Sequence, residues 1–155
     1  MKSTTRITLM VVIAAIVSFS FIKSEEHIAE MEAVKKVVYD SYINGAFNEL
    51  NAEAMEKGFH KDFSIFTPKG EEISKYPIAD WIAGVKKKKA NGYDQNDKKN
   101  IWDHNFANID ITGKAAQVKV ELKNQGNHVY TDYLSLLKFD SGWKIVAKVY
   151  HKHEK

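Results

Sequence analysis

The last third of the chain alternates between apolar and polar residues, and this period of two constrains the fold more than any other feature. The segment "AAQVKVEL" puts one set of apolar side chains on a single strand face, namely Ala116, Val118, Val120 and Leu122. Short polar turns, "TGK" and "NQGN", join it to "IWDHNFANIDI" before it and "TDYLSLLKFDSGWKIVAKVYH" after it. Because tight turns join antiparallel neighbours, the sequence predicts a meander of four antiparallel strands.

The first strand of this meander changes its apolar parity partway along. Trp102 and Phe106 occupy even positions, whereas Ile109 and Ile111 occupy odd ones. One extra residue in a strand reverses the face on which later side chains lie. The pattern therefore predicts a β-bulge between Phe106 and Ile109.

Segments with helical periodicity come before the meander in the chain. The segment "KSEEHIAEMEAVKKVVYDSYINGAFNEL" has one apolar stripe, with Ser24 placed as N-cap and Gly45 as C-terminal stop. A short second helix is predicted from the cap Asn51 to Gly58. In "PIADWIAGVKKKKA" apolar residues at helical spacing predict a third helix with a buried face, formed by Ile78, Trp81, Ile82 and Val85.

Between the second and third helices, "HKDFSIFTPKGEEISKYPI" predicts a strand, a turn and a second short strand. Helices and strands that are grouped along the chain, rather than strictly alternating, are typical of the α+β class. The length of 155 residues suits one domain. We therefore predict a single α+β domain over residues 25–153.

The N-terminal segment has the pattern of a signal peptide. "MKSTTR" is basic without an acid, and the apolar run "ITLMVVIAAIVSFSFI" follows it. We predict a signal peptide at residues 1–22, and hence an exported domain that is periplasmic or secreted. The alternative is an uncleaved N-terminal anchor, in which case this segment is the predicted membrane contact.

The composition excludes several kinds of site. The chain has no cysteine, which excludes disulfides and thiolate zinc sites. The net charge is +3, and Lys2 and Arg6 of the predicted signal peptide supply two of these charges, so the rest carries 3 − 2 = +1. A nearly neutral domain predicts no nucleic-acid partner. Without a Gly-rich phosphate loop, a nucleophile elbow or a zinc-binding helix motif, the sequence predicts no cofactor and no metal.

Four segments carry a resemblance to a known superfamily: "YINGAFNEL", "GFHKDFSIF", "IDITGKAAQVKVEL" and "YTDYLSLLKFDSGWKIVAKVYH". From about Val34 to His151 the chain resembles the NTF2-like superfamily, and within it the bacterial proteins labelled lumazine-binding or nuclear transport factor 2 family. The resemblance implies a cone, in which a curved antiparallel sheet wraps around the long first helix and leaves a ligand pocket at its open end. It also implies a homodimer through the outer face of the sheet.

Some NTF2-like proteins are enzymes, and the resemblance can be tested against their site residues. Where ketosteroid isomerases carry their carboxylate base, this chain has Thr67, and near their protonated aspartate it has Ser135. The tyrosine of the first helix is displaced, since its match falls near Val38 with Tyr39 one step away. These three departures argue against a ketosteroid-isomerase reaction.

A dehydratase-like site would need a histidine with an aspartate and tyrosines. The sequence offers such residues, namely His60, His104, His151, Asp62, Tyr42 and Tyr133. Structural explanations compete with this one, since Asp62 suits a capping role in a turn and His104 suits a half-buried strand position. His151 and His153 share a strand face, but without a nearby third ligand we favour a polar chain terminus. The run Lys86–Lys89 favours a solvated helix end over a phosphate or membrane site.

Alternation in the strand that begins near Tyr130 divides its side chains between two faces. The resemblance places Tyr133 and Ser135 toward the cone, and Asp132 on the outer face as a dimer contact. We predict no catalytic residue, and we predict that a small ligand is bound by Tyr42, Trp81, Trp102, His104, Tyr133 and Ser135.

Three functions remain open. The first is a non-catalytic domain that binds a small, mainly apolar or aromatic ligand in the cone. The second is an enzyme of the dehydratase or isomerase type that uses His60, His104 or Asp132 together with Tyr133. The third is a structural dimer whose cone is filled by its own side chains. A carboxylate that converges with an imidazole deep in the cone would favour the enzyme.

Overall fold

The structure is a computed structural model that describes residues 25–154. The predicted signal peptide or anchor at 1–22 and the predicted cap Ser24 lie outside the described residues. The sheet and the site below belong to the compact unit that begins at Ala33. Within residues 25–154, no helix has both the length and the apolarity needed to span a membrane.

The helical elements follow the predicted order. Residues 25–37 are α-helical, here called α1, and the residues directly after them form a π-helix. The remaining bounds are Val38–Asn48 for the π-helix, Ala52–Gly58 for α2, Ile78–Ala90 for α3 and Lys98–Asn100 for a short 3₁₀-helix.

Six strands form one sheet in the spatial order β2-β1-β6-β5-β4-β3. Their bounds are Phe59–Lys69 for β1, Glu72–Pro77 for β2, Trp102–Thr112 for β3, Ala115–Asn124 for β4, Asn127–Phe139 for β5 and Gly142–Lys152 for β6. From β3 to β6, each strand pairs antiparallel with the next strand along the chain. Strand β1 pairs parallel with β6. The α+β class and the predicted meander are confirmed.

Two details of the predicted sheet are also confirmed. The register of β3 against β4 shifts between Phe106 and Asn108, which is the predicted bulge. In β4 one face is buried throughout, and it carries Ala116, Val118, Val120 and Leu122.

The first helical segment continues past the predicted stop at Gly45, which is buried inside the π-helix. A Cβ at Gly45 would lie 3.1 Å from Met55 Cγ, so a side chain there would crowd α2. Gly45 therefore permits close packing of two helices and does not end one. The predicted cap Asn51 is confirmed, because its side chain accepts a hydrogen bond from the Ala54 backbone N–H at 3.1 Å.

Gly58 is the second position at which two helical segments approach closely. A Cβ there would overlap the Ser41 side chain and would lie 3.4 Å from Val37 Cγ1. The missing side chain therefore allows the end of α2 to lie directly against the π-helix. This contact helps to hold the π-helix, which carries Tyr42, against the rest of the unit.

The face assignment of β5 from the sequence is wrong. Asp132 is fully buried, whereas Tyr133 is 42% exposed. The alternation itself holds, because Asp132, Leu134 and Leu136 share one face and are all buried. The error is that the resemblance put the other face toward the core, whereas Asp132 pairs with Val120 on the buried face of β4.

A second bulge reverses the faces of β6. Ser135 pairs with Ala147, but Leu136 pairs with Ile145, so Val146 is the extra residue. Simple alternation from the buried Ile145 would place Lys148 on the outer face. Because of the bulge, Lys148 instead points to the core side and is only 5% exposed.

Candidate functional site

A cavity of about 320 Å³ lies between the core face of the sheet, the π-helix and α3. The described residues that line it are mainly aromatic, and one of these lining residues, Lys148, is cationic. The lining residues are Phe47, Ile65, Thr67, Tyr76, Trp81, Tyr130, Lys148 and Tyr150. The volume is near the lower end of the range for small-ligand sites, so the cavity suits a compact ligand.

Behind the cavity wall, three buried polar side chains from three elements meet. Lys148 Nζ of β6 lies 2.7 Å from Asp132 Oδ1 of β5, an ion pair without the angles of a hydrogen bond. The ammonium donates a hydrogen bond to Tyr42 Oη at 2.7 Å. The Tyr42 hydroxyl in turn donates to Asp132 Oδ2 at 2.6 Å. We call Tyr42, Asp132 and Lys148 the buried triad.

Burial governs the protonation of the triad. It raises the pKa of Tyr42 well above its usual value, and the adjacent Asp132 carboxylate raises it further. Tyr42 is therefore a neutral hydrogen-bond donor at physiological pH. Burial also lowers the pKa of Lys148, although Asp132 acts in the opposite direction.

Aromatic rings surround the Lys148 ammonium. Its Nζ lies 4.9 Å from the ring centroids of Tyr42 and Tyr150, and 5.7 Å from that of Trp81. The rings of Phe47 and Tyr130 are each 5.9 Å away. Such contacts favour a cation in a site with little water. Four of these five rings also line the cavity, so the ammonium lies at the cavity wall.

The structure brings some of the predicted ligand-binding residues to this cavity. Trp81 lines it, and Tyr42 lies directly behind Lys148. Trp102 packs at its edge, with ring centroids 5.1 Å from Phe47 and 5.9 Å from Tyr130. Ligand binding by these residues stays a prediction.

Other predicted ligand-binding residues lie elsewhere. His104 is exposed, with its ring 5.3 Å from that of Tyr39. Tyr133 and Ser135 occupy the sheet face opposite to Asp132, where Gln117 Nε2 donates to Ser135 Oγ at 3.0 Å. Their assignment to the inner face is wrong because the resemblance put the wrong face of β5 toward the core.

Apart from Tyr42, which belongs to the triad, the dehydratase candidates do not converge with it. His60 stacks on Phe139 at 5.0 Å and lines a different depression of about 460 Å³ beside α3. Asp62 is exposed, and its hydrogen bond from Lys61 lowers its pKa. No imidazole is among the described residues that line the 320 Å³ cavity. Thr67, at the position of the ketosteroid-isomerase base, does line it.

Three histidines cluster at the far end of β5 and β6. Thr131 Oγ1 lies 3.0 Å from His128 Nε2 and 2.9 Å from His153 Nε2. The rings of His151 and His153 are 4.8 Å apart. Over residues 25–154, no group of three or more histidine, cysteine, aspartate or glutamate side chains is arranged to hold a metal ion.

Sequence reasoning missed Lys148 entirely, and it placed Asp132 on the wrong face. Lysine in a strand is ordinarily a solvent-facing residue, and the local pattern around Lys148 gives no reason to depart from that rule. The alternation of β6 carries no warning either, because it puts the apolar Ala147 and Val149 inward and Lys148 outward.

The fold and the cavity define the chain as an NTF2-like domain. The family described as "Putative lumazine-binding" matches residues 29–151, and the chain belongs to it. The predicted superfamily is therefore confirmed.

Individual relatives extend this comparison. The "Aldolase FrzH" of Cladobotryum sp. is 32% identical over 117 residues, which cover 74% of this chain and 91% of the aldolase. An NTF2-like protein of unknown function from Methylobacillus flagellatus KT is 32% identical, with a TM-score of 0.60 over 82% of this chain and 94% of that one. A structure described as "Putative Scytalone Dehydratase", from Novosphingobium aromaticivorans DSM 12444, is 13% identical, covers 84% of this chain and 89% of its own, and has a TM-score of 0.55. That last likeness concerns the fold alone.

Proposed function

We propose that this chain is an enzyme that binds a small carbonyl compound with an aromatic or apolar body, and that it makes or breaks a carbon–carbon bond beside the carbonyl group. The observation that carries the proposal is Lys148. It is a buried cation at the wall of an aromatic cavity, and Tyr42 and Asp132 hold it from behind.

The chemistry of the lining favours a carbonyl compound. The rings would contact an apolar body, and the Lys148 nitrogen would meet an acceptor oxygen. Bond making or breaking beside a carbonyl develops negative charge on that oxygen, and a cation in a site with little water stabilises such charge strongly. The similarity to a protein named as an aldolase, along most of both chains, supports this reaction class.

The second candidate is the predicted non-catalytic binder. Its support is that the triad is satisfied within the protein, because the ammonium has both Tyr42 and Asp132 as partners. In that case the ion pair would only tune the affinity of the cavity. Turnover separates the two candidates, since both bind a ligand and the enzyme alone converts it.

A matched pair of ligands tests the binding part of the proposal. The ketone 4-phenylbutan-2-one and the alcohol 4-phenylbutan-2-ol share one carbon skeleton, and calorimetry would compare their affinities. Because hydrogen bonds to charged groups contribute about 1.5–3 kcal/mol, we expect the Lys148→Met variant to bind the ketone about tenfold to a hundredfold more weakly. Lys119→Arg, on the opposite sheet face, is the control and should bind as wild type does. Equal binding by Lys148→Met would contradict the proposal.

Turnover is tested with 4-hydroxy-4-phenylbutan-2-one. Cleavage of its C3–C4 bond gives benzaldehyde and acetone, and benzaldehyde is followed by its absorbance. We expect cleavage by wild type and by Lys119→Arg, with loss in Lys148→Met. Ketone binding without cleavage would favour the non-catalytic binder.

We also propose that the protein is exported, on the evidence of its basic N-terminus and the apolar run that follows. Intact-mass measurement of the protein from an expressing bacterium, after separation of periplasm, medium and membranes, tests this. A chain of full mass in the cytoplasm would contradict export.

A further inference from the structure

Resting on the proposed function, we infer that Lys148 is a covalent catalyst: its amine attacks the carbonyl carbon of a ketone in the aromatic cavity and forms an imine. The substrate class is then a methyl or methylene ketone with an aromatic or apolar body, the donor half of an aldol reaction. Nothing in the family description or in the relatives' names assigns this role to the residue.

The position of the amine carries the inference. Among the three members of the triad, Lys148 is the one that the described cavity lining includes. The rings of Phe47, Trp81, Tyr130 and Tyr150 lie both on the lining and within 6 Å of its Nζ. A ketone held among these rings would present its carbonyl carbon to the amine.

A nucleophilic lysine must first lose a proton, and the triad provides a path for it. The Lys148 ammonium donates to Tyr42 Oη, and the Tyr42 hydroxyl donates to Asp132 Oδ2. A proton that moves along both hydrogen bonds leaves a neutral amine, a neutral tyrosine and a protonated carboxyl group. Desolvation, which lowers the pKa of Lys148, favours this exchange.

Imine formation proceeds through a carbinolamine. The nitrogen lone pair forms the C–N bond while the carbonyl oxygen takes a proton from the relay, which gives a carbinolamine. Loss of one water molecule then gives the protonated imine. In a β-hydroxyketone, the bond between the α- and β-carbons then breaks: the hydroxyl group gives its proton to the relay, whose Asp132 is again a carboxylate, the aldehyde leaves, and the electron pair of the broken bond becomes the enamine. Protonation at carbon and addition of water return the amine and release the ketone.

Tyr42 and Asp132 act as positioning residues, since they touch the amine and lie behind the cavity wall. Other titratable groups face Lys148 as well: Tyr130 comes from β5 and Tyr150 from β6. Neither of these two tyrosines is in the hydrogen-bonded relay, so the inference assigns the proton path to Tyr42 and Asp132.

Reductive trapping tests the inference on the intact protein. Wild type is incubated with 4-phenylbutan-2-one and sodium cyanoborohydride, which converts an imine into a stable secondary amine, and peptide mapping by mass spectrometry locates the adduct. We expect more adduct at Lys148 than at any exposed lysine, since the lowered pKa leaves a larger share of this amine neutral. Protein unfolded in urea is the control and should lose this selectivity.

Two variants sharpen the test. Lys148→Arg keeps the cation but has no amine that forms an imine, so it should bind the ketone and give no adduct at residue 148. Asp132→Asn removes the charge that raises the pKa of Lys148, so trapping should persist to lower pH than in wild type. Its maximal rate should still fall about tenfold or more, because the amide cannot return a proton to the carbonyl oxygen. If Asp132 had a merely structural role, the slower trapping in the variant would not depend on pH.

The outcomes separate this inference from the proposed function. Ketone binding at the cavity with an adduct confined to exposed lysines would overturn the imine and leave carbonyl binding intact. A ketone that does not bind at all would overturn both. A pH-independent defect in Asp132→Asn would overturn the proton path.

Discussion

Lys148 Nζ lies 2.7 Å from Asp132 Oδ1, and the two side chains are 5% and 0% exposed. This ion pair joins neighbouring strands β5 and β6, and Tyr42 reaches it from the π-helix. Charges so deeply buried are rarely retained for stability alone, because desolvation offsets much of their attraction. This burial is the reason that the proposed function centres on Lys148.

Removing one member of the ion pair should destabilise the fold far more than removing both. We expect Lys148→Met to lower the free energy of unfolding by about 3–5 kcal/mol, because it leaves the Asp132 carboxylate buried without its cation. The double variant Lys148→Met/Asp132→Leu should be within about 2 kcal/mol of wild type. Urea denaturation at neutral pH measures both.

The exposed pair Lys36–Asp40 provides the control for this cycle, with Nζ also 2.7 Å from Oδ2. Because it is solvated, Lys36→Met should cost about 0.5 kcal/mol or less. If Lys148→Met proves equally mild, the pair is not buried as described.

Alkaline pH should destabilise the protein through Tyr42. In the unfolded chain its hydroxyl ionises near its usual pKa of about 10, whereas in the fold burial and Asp132 keep it protonated. The native state therefore holds a proton that the unfolded state loses, and stability falls as pH rises above about 10. Lys148, Tyr130 and Tyr150 also face this hydroxyl.

The Tyr42→Phe variant isolates this effect. Above pH 10, its free energy of unfolding should fall less steeply than that of wild type, by up to about 1.4 kcal/mol per pH unit. Denaturant titrations at several alkaline pH values measure the slopes. Parallel slopes would show that Tyr42 does not stay protonated in the fold.

Gly58 should tolerate no side chain. A Cβ there would overlap Ser41, so we expect Gly58→Ala to lower the free energy of unfolding by about 1–3 kcal/mol through overpacking. Gly84 in α3 is the control, since its added Cβ would meet Tyr76 Oη at an ordinary 3.6 Å. Gly84→Ala should be neutral or stabilising by up to about 1 kcal/mol. Equal effects of the two substitutions would contradict the close approach.

The predicted homodimer through the outer sheet face remains a proposal, and exposed apolar side chains favour it. Tyr133 and Val149 pair across β5 and β6 and are 42% and 50% exposed. Sedimentation equilibrium should find a dimer that Val149→Asp weakens at least about tenfold. Ile73→Asp, on the exposed strand β2, is the control and should have no effect. A wild-type monomer at micromolar concentration would refute the dimer.

The sequence was informative about elements and about the superfamily because periodicity and turn residues act locally. Alternation in β4 correctly identified its buried face, and the parity change in β3 correctly identified its bulge. The bulge at Val146 escaped because it inserts one apolar residue into an otherwise regular pattern, and it hid Lys148 from sequence reasoning. Asp132 was misplaced for another reason: the alternation of β5 was right, but the choice of its inner face came from the resemblance. The long-range contacts of Tyr42 have no local signature at all.

A crystal structure of the protein soaked with 4-phenylbutan-2-one tests the central claim most directly. We predict that the phenyl ring lies among Phe47, Trp81 and Tyr130, and that the carbonyl group meets Lys148 Nζ, by a hydrogen bond or by a C–N bond. A ketone bound in the depression beside α3 instead, with Lys148 still contacting Tyr42 and Asp132 alone, would contradict the account.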